Sequence, residues 1–188
     1  MLDIQTTDLP GVMILTAKRF GDARGWFTES WNASRMAEAG LDFAFVQDNH
    51  SFSAEAGTLR GLHYQKPPRS QDKLVRCTRG AIFDVAVDVR RGSASYGRWT
   101  GAELSADNGR QLLVPKGFLH GFVTLCPDTE VQYKCTDVYA PDCDGSVRWD
   151  SCGIEWPLQG RAPVLSDKDR AAVAFDDFVS PFESEVEL

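Results

Sequence analysis

Apolar and polar residues alternate with a period of two along six segments of the chain. The segments are residues 26–31, 74–77, 81–89, 111–115, 118–125 and 131–135. Glycine, proline, asparagine and aspartate separate them, which is the pattern of short β-strands joined by turns. The sequence therefore predicts a mainly β protein, built as a sandwich or a barrel.

Helical signals are confined to two short segments. Residues 32–40 begin with a candidate N-cap, Asn32, and stop at Gly40. Residues 166–175 begin with Ser166-Asp-Lys-Asp169, which has the form of a capping box. Both are predicted as short peripheral helices. The acidic end, residues 183–188, is expected to be loosely held.

Alternation places two polar side chains on faces that are otherwise apolar. Lys73 shares a face with Val75, and Tyr133 shares a face with Val131. Burying either polar group without a partner costs free energy, so one interpretation is a polar cavity inside the barrel. In the other, the Lys73 ammonium reaches water at a strand end and the Tyr133 hydroxyl binds a backbone carbonyl. Alternation alone favours the second.

In segment 81–89 the odd-numbered residues form one fully apolar face, which is predicted to be core. Asp84 and Asp88 share the opposite face.

Composition is typical of an ordinary globular domain, with 43% apolar and 25% charged residues. The length of 188 residues favours a single domain that spans residues 1–188. A net charge of −7 argues against binding to nucleic acid or to an anionic membrane. An anionic ligand must therefore meet locally placed arginines.

The five cysteines are odd in number and form no Cys-x-x-Cys pair, which favours a reducing cytoplasm over a disulfide framework or a zinc knuckle. The first residues have no signal-peptide pattern, and no apolar run approaches the roughly 20 residues that span a bilayer.

Three histidines, His50, His63 and His120, each follow a turn-rich segment. Imidazole is a common ligand of transition metals. However, there is no His-x-His pair and no carboxylate shortly after His63, so no metal site is predicted.

Ten blocks in the same order resemble the dTDP-4-dehydrorhamnose 3,5-epimerase family of the cupin superfamily. Among them are Gln47-Asp-Asn-His-Ser51 and Leu59-Arg-Gly-Leu-His-Tyr-Gln65. The complete set is 20–29, 47–51, 59–65, 71–75, 84–90, 104–105, 115–122, 133–134, 149–150 and 165–169. So many ordered blocks are far more specific than one short motif.

The resemblance implies a cupin-type jelly-roll β-barrel with short peripheral helices, a homodimer, and catalysis without metal or cofactor. The implied reaction converts dTDP-4-dehydro-6-deoxy-D-glucose to dTDP-4-dehydro-L-rhamnose by inverting C3 and C5. Both carbons adjoin the C4 ketone, so the chemistry needs a base, a partner for the C4 oxygen and an acid. Three alternatives stay open: a mono-epimerase acting on C3 or C5 only, a metal-dependent cupin oxygenase, and a nucleotide-sugar binding module.

The resemblance also assigns catalytic roles. His63 matches the base, Asp169 its partner, Lys73 the group at the C4 oxygen, and Tyr133 the acid on the far face of the ring. From local sequence, Asp169 could equally be the third helical residue of the capping box that Ser166 begins.

Eight further residues match substrate-binding positions: Arg24, Glu29, Gln47, Asn49, Arg60, His120, Tyr139, which would stack on the thymine, and Asp144, where the family commonly has glutamate. Arginine suits a diphosphate because its planar fork can give two parallel hydrogen bonds. Strict alternation puts Arg60 and His63 on opposite faces, so both line one site only if Gly61 permits a bulge or the strand starts later. Asp84 is a candidate support for His120.

Overall fold

The computed structural model of the chain describes residues 2–184. Its strands are Leu2–Thr6 (β1), Met13–Ala17 (β2), Arg19–Asp22 (β3), Gly25–Thr28 (β4), Gln47–Ser53 (β5), Leu59–Gln65 (β6), Lys73–Arg79 (β7), Ala81–Asp88 (β8), Arg90–Arg91 (β9), Trp99–Ser105 (β10), Arg110–Val114 (β11), Phe118–Thr124 (β12), Thr129–Cys135 (β13), Asp144–Ser146 (β14) and Phe182–Glu183 (β15). The helices are Ala33–Glu38 (α1) and Asp167–Arg170 (α2), with 3-10 turns at Pro141–Cys143 and Phe175–Asp177.

Two antiparallel sheets carry the fold. The first has six strands in the order β1-β2-β11-β7-β13-β5, and the second has five in the order β10-β8-β12-β6-β14. A continuous cluster of buried apolar side chains joins them, with Val75 and Val131 from the first sheet and Ala86 and Phe122 from the second. This mainly β, two-sheet architecture confirms the cupin-type jelly roll that the resemblance implied.

Both faces of β8 are buried. The predicted apolar face, with Val85 and Val87, packs against Phe178 and Phe182 of the C-terminal segment. The opposite face carries Ala86 and the fully buried Asp84 towards the other sheet. The aspartate face of this strand is therefore the one that contributes to the space between the sheets.

The six segments predicted as strands coincide with β4, β7, β8, β11, β12 and β13 to within a few residues. Helix α1 also agrees with its prediction, and the Asn32 side chain accepts a hydrogen bond from the Arg35 amide at its start. The prediction for residues 166–175 was wrong in length, because α2 ends at Arg170. Beyond it the chain is extended, with Val173 in a bridge to Val147.

At the acidic end, β15 pairs in parallel with β9, while residues 185–188 lie outside the described part of the chain. Within residues 2–184, no helix has the length and apolar character needed to cross a membrane.

A bulge at Gly61 interrupts the pairing of β6 with β12. His63 lies opposite His120 and Arg60 opposite Phe122, so three steps along β6 match two along β12. Gly61 has φ +136°, and its backbone lies against Gly121. The extra residue resets the alternation, and Arg60 and His63 consequently both line the same cavity.

We expect Gly61→Ala to destabilise the fold by about 2–4 kcal/mol, because the backbone conformation disfavours a side chain and the added methyl clashes with backbone. A Cβ at this position would lie 2.6 Å from the Gly121 Cα. Gly92→Ala is the matched control: φ is +84° but no atom lies within 4 Å of the added Cβ, so only about 1 kcal/mol is expected. Denaturant unfolding measures both; equal losses would show that the contact with Gly121 is unimportant.

Candidate active site

A cavity of about 370 Å³ opens between the two sheets beside α2. Six of the residues singled out in the sequence line it: Arg60, His63, Lys73, His120, Tyr133 and Asp169. They come from β6, β7, β12, β13 and α2, so the cavity forms only when both sheets and the helix are assembled. Its volume is in the range of small-molecule sites.

His63 and Asp169 form a close pair in this cavity. The His63 Nε2 lies 2.5 Å from Asp169 Oδ1. Burial raises the pKa of Asp169, but hydrogen bonds from His63 and Ser166 and the nearby charges of His63 and Lys168 outweigh it and hold that pKa below its usual value. The carboxylate is therefore ionised near neutral pH, and it requires a proton on Nε2. A neutral His63 then has its lone pair on Nδ1, which is the atom able to accept a proton.

Asp169 contributes both to the pair with His63 and to the start of α2. The Ser166 hydroxyl oxygen accepts from the Asp169 amide at 3.1 Å, which caps α2. The same hydroxyl donates to Asp169 Oδ2 at 2.8 Å. The two interpretations of Asp169 left open by the sequence are thus compatible, because its amide makes the cap and its carboxylate holds His63.

A second histidine–aspartate pair lies deeper. His120 Nε2 is 2.8 Å from Asp84 Oδ1, as the candidate supporting role of Asp84 required. The His120 side chain is only 8% exposed, against 31% for His63. Of the two imidazoles, His63 is therefore the more accessible to a ligand. Burial raises the pKa of Asp84, against the opposing charges of His120 and Lys73.

Lys73 and Tyr133 both line the cavity, so the polar-cavity interpretation of their inward position is the correct one. Burial lowers the pKa of the Lys73 ammonium, although the nearby Cys135, Asp144 and Asp84 oppose this. Burial likewise raises the pKa of the Tyr133 hydroxyl, which stays protonated well above neutral pH. The cavity thus combines a lysine ammonium with a phenol that holds its proton.

Arg60 is fixed at the wall of this cavity. Its guanidinium donates to the Phe52 carbonyl at 3.0 Å and to the Ser53 hydroxyl at 3.3 Å. These contacts orient the guanidinium while leaving further N–H groups for a ligand.

Gln47, Tyr139 and Asp144 form a separate hydrogen-bonded group near α2. The Tyr139 amide donates to Gln47 Oε1 at 2.8 Å, and its hydroxyl donates to Asp144 Oδ2 at 3.3 Å. The Lys168 ammonium also binds that carboxylate. Asn49 joins the group by accepting from Gln47 Nε2 at 3.2 Å. The shorter Asp144 side chain therefore still reaches both Tyr139 and Lys168.

Arg24 and Glu29 lie elsewhere. Arg24 is at the exposed tip of the β3–β4 hairpin, where it pairs with Asp22 at 2.6 Å, and Glu29 pairs with Arg35 of α1 at 2.9 Å. Neither lines the cavity of its own chain.

Seven residues that line the cavity were missed by the sequence reasoning as candidates: Ser51, Thr58, Leu59, Phe122, Val164, Leu165 and Ser166. The Ser51 hydroxyl is buried without a hydrogen-bond partner in the described structure. It shares strand parity with Gln47 and Asn49, which is the signal that could have identified it. Ser166 was recognised as a cap only.

Within residues 2–184 no cluster of three or more His, Cys, Asp or Glu side chains is arranged to hold a metal ion. What the cavity offers is acid–base chemistry: an imidazole held by a carboxylate, an ammonium and a phenol around one space.

Comparison with known proteins agrees with this chemistry. A family model described as dTDP-4-dehydrorhamnose 3,5-epimerase matches residues 6–177. The chain is 49% identical over 179 residues to the dTDP-4-dehydrorhamnose 3,5-epimerase of Salmonella typhimurium, covering 94% of this chain and 97% of that protein.

Solved structures of epimerases are similar to this chain over most of its length. The dTDP-6-deoxy-D-glucose-3,5-epimerase of Legionella pneumophila, solved in complex with dTDP-4-keto-L-rhamnose, is 43% identical with a TM-score of 0.90, covering 95% of each chain. A 3'-monoepimerase from Streptomyces bikiniensis, solved in complex with dTDP-quinovose, is 34% identical with a TM-score of 0.84, covering 89% of this chain and 85% of that one.

Proposed function

Because the chain belongs to the dTDP-4-dehydrorhamnose 3,5-epimerase family, we propose that it converts dTDP-4-dehydro-6-deoxy-D-glucose to dTDP-4-dehydro-L-rhamnose by inverting C3 and C5. The observation that carries the proposal is the meeting of His63, held by Asp169, with Lys73 and Tyr133 in one cavity. We further propose that residues 1–188 form a single catalytic domain.

Each inversion is a proton removal followed by a proton return. His63 Nδ1 takes the proton from the carbon next to the ketone, and the electron pair of the broken C–H bond moves to the C4 oxygen. The Lys73 ammonium stabilises the resulting enolate. Tyr133 then gives its proton to the opposite face of the carbon, and the electron pair returns from oxygen to re-form the ketone. Solvent restores the proton of Tyr133 and removes the proton of His63.

The remaining residues bind and orient the substrate. Arg60 and His120 contact the sugar and diphosphate within the cavity, and the group of Gln47, Asn49, Tyr139 and Asp144 receives the nucleotide. The thymine stacks on the exposed ring of Tyr139.

Incubation with the dTDP keto sugar in deuterium oxide tests the function directly. Proton NMR is expected to show loss of both the C3 and the C5 proton signals together with formation of the L-sugar. Label at one carbon only would establish the mono-epimerase alternative, for which the similarity to the Streptomyces 3'-monoepimerase is the reason. Absence of any label would favour a binding module. Loss of activity on chelation, with stoichiometric iron, would identify a metal-dependent enzyme instead.

Lys73 predicts a specific alkaline limit to activity. Only the ammonium form of Lys73 stabilises the enolate, and burial lowers its pKa below 10.5, the usual value for lysine. We therefore expect kcat/KM to decrease as the pH rises, with the midpoint of the decrease below pH 10.5. Burial raises the pKa of Tyr133 above its usual 10.0, so a loss of activity with a midpoint below pH 10 is not due to Tyr133. In Lys73→Arg, whose charge persists, the limb should move upward to the range where Tyr133 titrates. An unchanged limb in this variant would exclude Lys73 as its origin. Lys116→Arg, on the exterior, is the matched control.

We also propose that the protein is a homodimer in which the β3–β4 hairpin of one chain completes the site of the other. The hairpin exposes Phe20 (51%), Trp26 (58%) and Phe27 (68%) around Arg24, an aromatic surface that a second copy would cover. This arrangement would bring Arg24 and Glu29 to the partner's cavity and explains why they lie away from their own.

Mixing two inactive variants tests this arrangement. His63→Ala and Arg24→Ala, combined after reversible dissociation, should recover about a quarter of wild-type activity, because half of the dimers are mixed and each has one intact site. If both residues act within one chain, every site stays defective and nothing is recovered. Light scattering that finds only monomer would also contradict the proposal.

We place the protein in the cytoplasm. All five cysteines, which fall within residues 2–184, are free thiols, as expected in a reducing compartment.

A further inference from the structure

The Ser166 hydroxyl makes two hydrogen bonds to the same residue. Its oxygen accepts from the Asp169 amide at 3.1 Å, and its proton is donated to Asp169 Oδ2 at 2.8 Å. In a capping box the acidic side chain instead reaches back to the backbone N–H of the cap residue. No such bond from the Ser166 amide exists in the described structure. The Asp169 carboxylate instead contacts the Ser166 hydroxyl with one oxygen and the His63 ring with the other.

Both oxygens of this buried carboxylate are consequently engaged. Oδ1 lies 2.5 Å from His63 Nε2, and Oδ2 accepts from Ser166. Two hydrogen bonds on opposite oxygens fix the rotation of the carboxylate about its Cβ–Cγ bond. Without the hydroxyl, Oδ2 would be a buried charged oxygen with no side-chain partner, and the carboxylate could turn away from the imidazole.

We propose that Ser166 is a positioning residue whose hydroxyl holds the Asp169 carboxylate so that His63 keeps its proton on Nε2 and presents Nδ1 to the substrate. This inference rests on the proposed function, because it assigns Ser166 a role through the proposed base. It adds Ser166 to the His63–Asp169 pair. Asp169 orients the base, as the third group does in other nucleophile and base arrangements, and Ser166 orients Asp169.

Two neighbouring groups lower the pKa of Asp169 through their charge. His63 faces the carboxylate from β6, and Lys168 is its neighbour on α2. The hydrogen bond from Ser166 is one of the contributions that lower the pKa of Asp169, so its removal moves that pKa upward. The loss of kcat that comes from protonation of Asp169 at low pH should move in the same direction, because protonated Asp169 no longer accepts from His63.

Two substitutions separate the hydroxyl's role in orientation from its role in capping. Ser166→Gly loses the donor but remains a tolerated N-cap residue, at a cost of only a few tenths of a kcal/mol relative to serine. Ser166→Thr keeps both functions. Asp167→Asn, with its side chain fully exposed on the same helix, controls for changes in local charge.

We expect Ser166→Gly to lower kcat about tenfold, to change KM less than kcat, and to move the acid limb to higher pH. Ser166→Thr and Asp167→Asn should stay within about twofold of wild type. Ser166→Ala should repeat the kinetic loss of the glycine variant, so that a folding defect in one variant does not decide the result.

Two results would overturn the inference while leaving the proposed function intact: a wild-type kcat and acid limb in Ser166→Gly and Ser166→Ala, or an equal loss in Ser166→Thr. Both presuppose that wild-type protein exchanges the C3 and C5 protons. Wild-type protein that exchanges neither would instead refute the proposed function, and with it the role of Ser166.

Discussion

His63→Ala should abolish proton exchange at both C3 and C5, with kcat falling by about 10³-fold or more. The reason is that one imidazole, the more exposed of the two in the cavity, carries the only lone pair that Asp169 orients. Time-resolved proton NMR in deuterium oxide measures each carbon separately. If a different base served each carbon, exchange at one of them would survive.

The control for this variant is stability. The His63 ring is about one third exposed, so its removal leaves a small gap at the cavity wall, and the thermal midpoint should fall by only a few degrees. Asp169→Asn should also lose most activity, because an amide no longer fixes the Nε2 proton, whereas Asp167→Asn on the same short helix should not. Exchange within tenfold of wild type in His63→Ala would contradict the assignment.

Much of the fold could be predicted because period-two alternation is a local property of the sequence. The inward positions of Lys73 and Tyr133 followed from it. Alternation also required either a bulge at Gly61 or a later start of the strand, and the structure has the bulge. Local signals failed where a distant partner decided the outcome. The local sequence predicted helix for residues 171–174. In the structure the Arg148 amide donates to the Val173 carbonyl at 2.7 Å, and this contact holds the chain extended.

In the candidate site, too, local sequence could not predict the contacts that depend on distant residues. The resemblance selected His63 and Asp169, but their 2.5 Å contact joins residues 106 positions apart, which no local pattern contains. The place of Arg24 was likewise not predictable. Its hairpin is anchored by Arg19, which donates to the Ala106 and Asp107 carbonyls and stacks on Trp26, so its direction depends on a loop far along the chain.

The cavity wall and the residues directly behind it retain polar groups that an interior selected for stability alone would avoid. Asp84 Oδ2 and the Ser51 hydroxyl are buried without hydrogen-bond partners among the described residues. Each such group costs about 1–3 kcal/mol. Groups of this kind are tolerated where a ligand or an ordered water supplies the missing bond, and Ser51 lies in the wall of the proposed sugar site.

Tyr133→Phe should separate proton removal from inversion. The variant keeps His63 and Lys73, so the enolate still forms, but the far face of the ring has lost its acid. His63 can return a solvent-derived deuteron to the face from which it took the proton. We therefore expect deuterium to enter the substrate with retained configuration, while formation of the L-sugar falls by about 10²–10³-fold.

The readout of this variant is the ratio of exchange to inversion, which a general loss of folding or binding would leave unchanged. Phenylalanine preserves the ring that packs against the core between the sheets, so stability should change little. Tyr96→Phe, on the exterior, is the matched control. If exchange and inversion fell in parallel, Tyr133 would act before or during proton removal, and the acid on the far face would have to be another group.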